Sequence, residues 1–434
     1  MTVGSAVIGH RARSSRASLA LPGLAFALAG AALLQGGYWP EQRALVAVIL
    51  AVLALVSGRW LPERGVGLGI AVVAGGLGVS ALATGTDADA AGPVLILVAG
   101  ASAYALARRV VAAEGTVAVI EAVSAVGAIV GILGLAGVAW HVEPLALRAD
   151  TWRLASTLTY QNAAASLLAL SLGPAIASAA WRRTPIARAM LVIVGVALLA
   201  TLSRGGYLAA AVTVVWMLRA RVIRIADVAR PVVAITFGAL AVVPATLGWS
   251  WSGPVTTAGL GLAVVIGIGG PWMPSRRWMT ASIALALAAT AALLATTPLG
   301  ARFTVSSTDR GRVWSHTIDA ALERPWFGTG PGSYTLIAPA GEQLVLTRYA
   351  HNEYLQWFSE AGVVGAAALL AGLALIARAI RRRARGRGIV RTAAVAGLAG
   401  FAAHAAVDFV WHVPVLVAIA FVLVAIATAG GTER

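Results

Sequence analysis

The chain has 434 residues, of which 59% are hydrophobic and only 12% charged. Soluble domains carry about 25% charged residues, so an ordinary soluble enzyme is excluded and a polytopic membrane protein is implied. Cysteine is absent and all 33 basic side chains are arginine, which removes disulfides, thiolate metal sites, a Schiff-base lysine and a Walker-type phosphate loop. The net charge of +16 is explained by arginines in cytoplasmic loops rather than by nucleic-acid binding.

Apolar runs place fourteen candidate spans at roughly 18–36, 43–57, 66–84, 91–107, 116–139, 158–179, 186–202, 205–218, 232–248, 255–270, 279–296, 361–377, 392–408 and 413–430. Arg11, Arg13 and Arg16 before the first run imitate a signal peptide. No small-residue cleavage site follows, so that run reads as a retained helix. Alternate loops are basic: Arg59 and Arg64; Arg108 and Arg109; Arg182, Arg183 and Arg188; Arg219 to Arg230; Arg276 and Arg277; Arg378 to Arg387. The positive-inside bias therefore puts both termini in the cytoplasm and residues 297–357 outside. The expected division is a membrane domain of about eleven helices over 1–296, an extracytoplasmic loop over 297–357 and C-terminal membrane helices over 358–434.

Polar residues collect at the outer ends of these spans. Gln161 and Asn162 open the sixth, Arg204 closes the seventh, and Asp408 and His412 lie at the last outer turn. Arg204 reads either as a ligand-binding charge or as a snorkelling anchor, and Gly205-Gly206 beside it would let a ligand approach the backbone. His404 and Asp408, four residues apart, read as a proton relay or a structural pair.

In the outer loop, Thr304 to Asp309 form an N-cap cluster for a helix over roughly 310–323 that stops before Pro325. Trp314, Ile318 and Ala321/Leu322 mark its apolar stripe, expected to pack on the membrane domain. Arg310 falls on that stripe and points inward. Arg312 falls with His316, Asp319 and Glu323 on the opposite face. An inward arginine at a helix N-terminus suits a phosphate or diphosphate, although a lone pairing with Asp309 or a lipid phosphate explains it too. Gly328-Thr329-Gly330-Pro331-Gly332 lacks the strand–helix context of a nucleotide fingerprint and reads as a tight reversal. His351 is expected to begin the next helix, with Leu355 and Phe358 on its face and Asn352, Gln356 and Glu360 forming a polar seam on another. Imidazole suits general-base work, and an interfacial hydrogen bonder is the plainer reading. The six histidines show no zinc-like spacing.

Taken together, Thr157-Leu158-Thr159-Tyr160-Gln161-Asn162-Ala163-Ala164, Ser203-Arg204-Gly205-Gly206, Arg310 with Trp314, Pro325 with Gly328, Gly330 and Gly332, and His351-Asn352-Glu353-Tyr354 through Glu360, Gly362 and Gly365 resemble the O-antigen ligase and O-antigen polymerase family of multispan glycosyltransferases. The resemblance spans roughly half the chain. It implies an all-α polytopic fold of about 12–14 helices with one large extracytoplasmic loop. The implied activity is metal-independent, inverting transfer of a glycan from an undecaprenyl-diphosphate-linked donor to the hydroxyl of a lipid or glycan acceptor, among membrane lipids, with no cofactor and no nucleic acid. His351 would be the base. Arg204 and Arg310, with Arg312 as the competing candidate, would hold the diphosphate. Asn162, Asn352, Glu353, Tyr354 and Glu360 would support them. The chain departs from the family in Tyr160-Gln161, where an Asn-Pro-like pair is common, and in the extra Arg312. A lysine-free, alanine-rich composition points to a high-GC bacterium, so lipid A is not implied as acceptor. Two other readings stay open: a multispan transporter of a small solute or anion, supported locally by His404 and Asp408, and a peptidoglycan polymerase of the shape–elongation–division type, whose acidic motif is not evident.

Overall fold

The structure is a computed structural model that describes residues 20–58, 62–269, 308–340, 343–383 and 388–429, with a few isolated positions between 281 and 297. The chain folds as an all-α polytopic membrane protein. The expected signal-like arginines and nearly all of the eleventh span (279–296) lie outside the described residues.

Among the described residues, ten α-helices precede the polar 297–357 loop: α1 (Ala20–Leu33), α2 (Pro40–Val56), α3 (Arg64–Thr84), α4 (Asp87–Glu114), α5 (Thr116–Trp140), α6 (Gln161–Arg182), α7 (Pro185–Ala200), α8 (Arg204–Arg219), α9 (Ile225–Thr246) and α10 (Ser252–Ile268). The loop carries α11 (Thr308–Glu323), and α12 (Glu353–Arg382), α13 (Ile389–Ala405) and α14 (Pro414–Ala427) follow it. Six of these helices contain stretches long and apolar enough to cross a membrane, in α3, α4, α5, α6, α9 and α12.

Local chemistry sets several starts. Glu63 caps α3 by accepting from Gly65 N–H at 2.8 Å. Thr184 caps α7 ahead of Pro185 at its first turn, where a missing N–H costs nothing. Ser203 caps α8 by accepting from Gly206 N–H at 3.2 Å.

Helix α6 is the axis of the bundle, with every position from Ala163 to Ala179 buried. A helix that is apolar and small all round suits a site enclosed by other helices, and α5, α7, α8 and α13 surround it. Helix α14 is buried in the same way and packs on α4 and α13. Helix α12 packs chiefly on α3. Two short hairpins were not expected: β1 (Ala146–Arg148) with β2 (Trp152–Leu154), and β3 (Leu336–Ala340) with β4 (Gln343–Thr347) in the loop before α12. The β3–β4 stretch is rich in Leu, Ile and Val, which suit a half-buried extended ribbon.

Candidate active site

The glycine-rich segment is a tight reversal, and it is locked to an interruption in α12. Gly362 has φ 62° and ψ −166°, a backbone state open to glycine and costly for other residues. There the helix releases its hydrogen bonds to the loop. Val363 N–H donates to the Pro325 carbonyl at 2.7 Å, and Gly330 N–H donates to the Glu360 carbonyl at 2.8 Å. A Cβ on Gly362 would lie 2.3 Å from the Trp326 oxygen, and one on Gly328 2.4 Å from the Glu360 oxygen. Glu360 accepts from Gly332 N–H at 2.7 Å, and Ser80 Oγ donates to the Phe327 carbonyl at 2.6 Å. The loop is thus bolted to α3 and α12, which fixes what hangs above them.

What hangs there converges on Asp408. This residue follows α13 and is 1% exposed. Its Oδ1 accepts from His351 Nδ1 at 3.1 Å, Tyr160 Oη at 3.1 Å and Phe409 N–H at 2.9 Å. Its Oδ2 accepts from Asn162 Nδ2 and lies 3.8 Å from Arg310 Nη2. Arg310 Nη1 also donates to the Val407 carbonyl at 2.9 Å. Burial works against the carboxylate, but the His351 hydrogen bond and charge, His404 and the Phe409 N–H hold Asp408 below the usual carboxylate range. Tyr160 moves the other way. Burial first and then Asp408 push its phenol well above the ordinary value, so it stays a neutral donor.

Aromatic rings set the angle of the imidazole. Phe409 stacks between Tyr349 (4.0 Å, 9°) and Tyr160 (4.9 Å, 16°) and meets His351 edge-on at 5.2 Å. Trp314 Nε1 donates to the Ala350 carbonyl at 2.9 Å, pinning α11 over the site. The His351 side chain keeps 30% exposure, so part of the ring faces outward.

A second polar cluster lies one turn deeper. Buried Glu353 accepts from Trp411 N–H and pairs with His412 Nδ1 at 3.2 Å. Gln356 donates to Glu360 at 2.9 Å, accepts from Ala350 N–H at 3.0 Å and lies 3.2 Å from His412 Nε2. Burial opposes the charged form of His412, but Glu353 and then Glu360 raise it above the ordinary histidine value. The cluster ties segment 349–352 to segment 408–412 and so sets the spacing of His351 and Asp408.

Several expectations are corrected. His351 does not begin the helix. It has φ 53°, and α12 starts at Glu353 with Asn352 as its cap, accepting from Leu355 N–H at 3.1 Å. The seam therefore loses Asn352 and gains Glu353 and His412. On α11 the inward face carries buried Thr317 and Ala321 with half-buried Arg310 and Trp314, whereas Ile318 and Leu322 are exposed. Thr317 is held inward by Tyr334 Oη at 2.6 Å, which turns the helix away from the purely apolar stripe. Arg310 points inward as expected, and Arg312 is exposed. Arg204 opens α8 rather than closing α7, and it too is exposed. Gly205 and Gly206 leave no gap for a ligand, since added Cβ atoms would lie 2.5 Å from His404 and from Ala165. His404 is fully buried and neither ring nitrogen has a hydrogen-bond partner, so it forms no hydrogen bond with Asp408. Tyr354 Oη donates to the Ala402 carbonyl at 3.0 Å and packs on Trp411.

Sequence reasoning underrated Asp408, named Tyr160 only within the motif and as a departure from it, and missed Tyr349 and Phe409. One signal was available: Asp408 is the lone carboxylate between Glu360 and Glu433, and a lone acid among apolar spans marks a site.

No curated protein matches the chain. The family described as O-antigen ligase matches residues 189–370. That stretch runs from α7 to the middle of α12 and contains Arg204, Arg310, His351 and the locked loop, while Asn162 and Asp408 lie outside it. Over residues 189–370 the chain is thus similar to the O-antigen ligase family, within a polytopic membrane protein.

Proposed function

We propose that the protein is a metal-independent, inverting glycosyltransferase that moves a glycan from an undecaprenyl-diphosphate-linked donor to a hydroxyl of a lipid or glycan acceptor. The observation that carries this reading is that His351 and Arg310 meet on one buried carboxylate, at 3.1 Å and 3.8 Å. With Nδ1–H donated to Asp408, the His351 tautomer leaves the Nε2 lone pair to accept the acceptor's hydroxyl proton. The acceptor oxygen then bonds to the anomeric carbon from the face opposite the diphosphate. The old bond to the diphosphate oxygen breaks with its electron pair on that oxygen, and the proton ends on Nε2. Positive charge on the ring develops beside Asp408, the arrangement that orients histidine bases elsewhere.

Arg310 and Arg204 serve the departing diphosphate. Guanidinium groups match phosphate geometry, and each sits in the first turn of its helix, where N–H groups also favour anions. Inward placement favours Arg310 over exposed Arg312. Asn162 and Tyr160 hold Asp408. Asn352 and Glu353 hold the segment that bears His351, Glu360 holds the loop, and Tyr354 joins α12 to α13.

The site lies on the outer leaflet side, with residues 297–357 extracytoplasmic, both termini cytoplasmic, and 1–296 and 358–434 forming the membrane part. Charge supports this. Helices α6, α8 and α12 begin at the site and end in Arg182, Arg219 and Arg381-Arg382, as the positive-inside rule requires of cytoplasmic ends.

The test is transfer in vitro from a lipid-diphosphate glycan with EDTA present, comparing wild type with His351→Ala, Arg204→Ala and Arg310→Ala. Product formed by wild type and lost in all three supports the reading. Solute movement across liposomes by a protein that releases no undecaprenyl diphosphate would replace it with the transporter.

A further inference from the structure

Helices α12 and α13 are consecutive, yet they take different partners. Helix α12 packs on α3, and α13 packs on α8, α6 and α14. The two are bridged at both ends. Near the site Tyr354 Oη donates to the Ala402 carbonyl, and at the far end Arg391 donates to the Ile380 carbonyl. Between the bridges lies a cavity of about 450 Å³. Along α12 its lining runs from Glu353 to Ile380, roughly 40 Å at 1.5 Å per residue. That matches or exceeds a hydrocarbon core of about 30 Å.

The shaft is walled by side chains such as Val73, Leu97, Leu373, Ile376, Ala399 and Phe421. Water finds no hydrogen-bond partners on such walls, and an empty shaft forfeits dispersion contacts along its whole length. A hydrocarbon chain satisfies both. The polar lining is confined to the site end, where Glu353, Gln356, Glu360 and His412 stand beside Tyr354, Trp357 and Trp411. The one base on that rim, His412, is already paired with Glu353 at 3.2 Å, and no arginine lines the cavity, so the rim offers a phosphate no spare cation, while its carboxylate oxygens offer acceptors to hydroxyl donors. The arginines lie elsewhere: Arg310 is bonded to Val407 beside Asp408, and Arg43 donates to the Tyr38 carbonyl and does not line the cavity.

We propose that the cavity between α12 and α13 binds one hydrocarbon chain of a lipid with an uncharged, hydroxyl-bearing head, holding that head beside the Asp408–His351 pair. Resting on the transferase reading, this lipid is the anchor of the acceptor, separate from the diphosphate lipid that the arginines serve.

The experiment is photo-crosslinking of the full chain in phosphatidylglycerol nanodiscs containing a trace of monoglucosyl diacylglycerol with a diazirine at mid-chain. Adducts should map to the inner faces of α12 and α13 (Leu373, Ile376, Val395, Ala399). They should be competed by unlabelled glycolipid and not by polyprenyl diphosphate. Ala399→Phe and Ala420→Phe, which fill the shaft, should each lower them by about tenfold, the change that 1.4 kcal/mol of lost binding produces. Labelling at Leu370, on the exposed face of α12, should not change, which guards against a misfolded variant. The proposal is overturned by adducts no more frequent in the shaft than at Leu370, by shaft adducts indifferent to both substitutions, or by stronger competition from polyprenyl diphosphate. Shaft adducts in a protein inert for transfer would uphold the binding site and remove only the acceptor role, so the two readings fail separately.

Discussion

Asp408→Asn tests the proposed chemistry with the smallest change of shape. The carboxylate accepts from His351, Tyr160, Asn162 and the Phe409 N–H, and it faces Arg310. Every one of these partners is a donor. An amide offers one oxygen and must aim its NH₂ group at one of them. Aimed at His351, it takes the Nδ1 lone pair of the other tautomer, and the ring proton moves to Nε2, where the base is needed. The same substitution beside a catalytic histidine in a serine protease lowers kcat by about 10⁴ with geometry intact. A fall of about 10³–10⁴ in kcat is therefore expected, equivalent to ~4–5.5 kcal/mol at 1.36 kcal/mol per tenfold. The structural cost is smaller, because one buried donor left unsatisfied is worth about 1–3 kcal/mol. The assay is release of undecaprenyl diphosphate in EDTA, paired with thermal unfolding in detergent. A folded Asp408→Asn protein retaining kcat within about tenfold of wild type would refute the claim that Asp408 orients the base.

Arg310→Lys keeps the charge but loses the fork, so kcat/KM for the donor should fall by at least about tenfold, while Arg312→Ala should stay near wild type. The reverse ranking would hand the diphosphate to Arg312. Gly362→Ala puts a methyl 2.3 Å from the Trp326 oxygen at φ 62°. It should cost about 1–3 kcal/mol or more of stability and unlock the loop to proteolysis, whereas Gly311→Ala, which meets nothing within 4 Å, should be harmless. Equal melting temperatures for the two would contradict the locked-loop account. His412 carries a raised value through Glu353 and Glu360 against its burial, so its stabilising contribution is complete below about pH 6.5 and is lost as pH rises through the higher folded value. Melting temperature should therefore decline above that point, and His412→Gln should flatten the slope. An unchanged slope in the variant would remove the Glu353–His412 pair from the stability account. Tyr160→Phe deletes one donor to Asp408 and should lower kcat by roughly tenfold, the scale of a hydrogen bond to a charged group.

The membrane class was legible from hydropathy alone. In lipid each span must satisfy its own backbone hydrogen bonds, so helices of about twenty apolar residues are required. Some of the polar residues that the structure gathers around Asp408 were legible as well, because arginine, histidine and asparagine at the ends of such spans stand out against an apolar chain. Arg310 was placed inward by helical periodicity, and the structure agrees.

Partnership was decided by the tertiary structure. His404 and Asp408 stand at i and i+4, a spacing that suggests a pair, yet α13 ends between them and His404 is turned against Gly205. Asp408 instead meets His351, 57 residues away, and Asn162, 246 residues away. The left-handed turn at His351 escaped periodicity too, since a residue one step before a helix cap has the same spacing as one inside the helix. Local pattern states which residues share a face of one helix. Which faces meet is settled by close approach at glycines such as Gly205, Gly328 and Gly362, and by the need of a buried carboxylate for donors drawn from four separate segments.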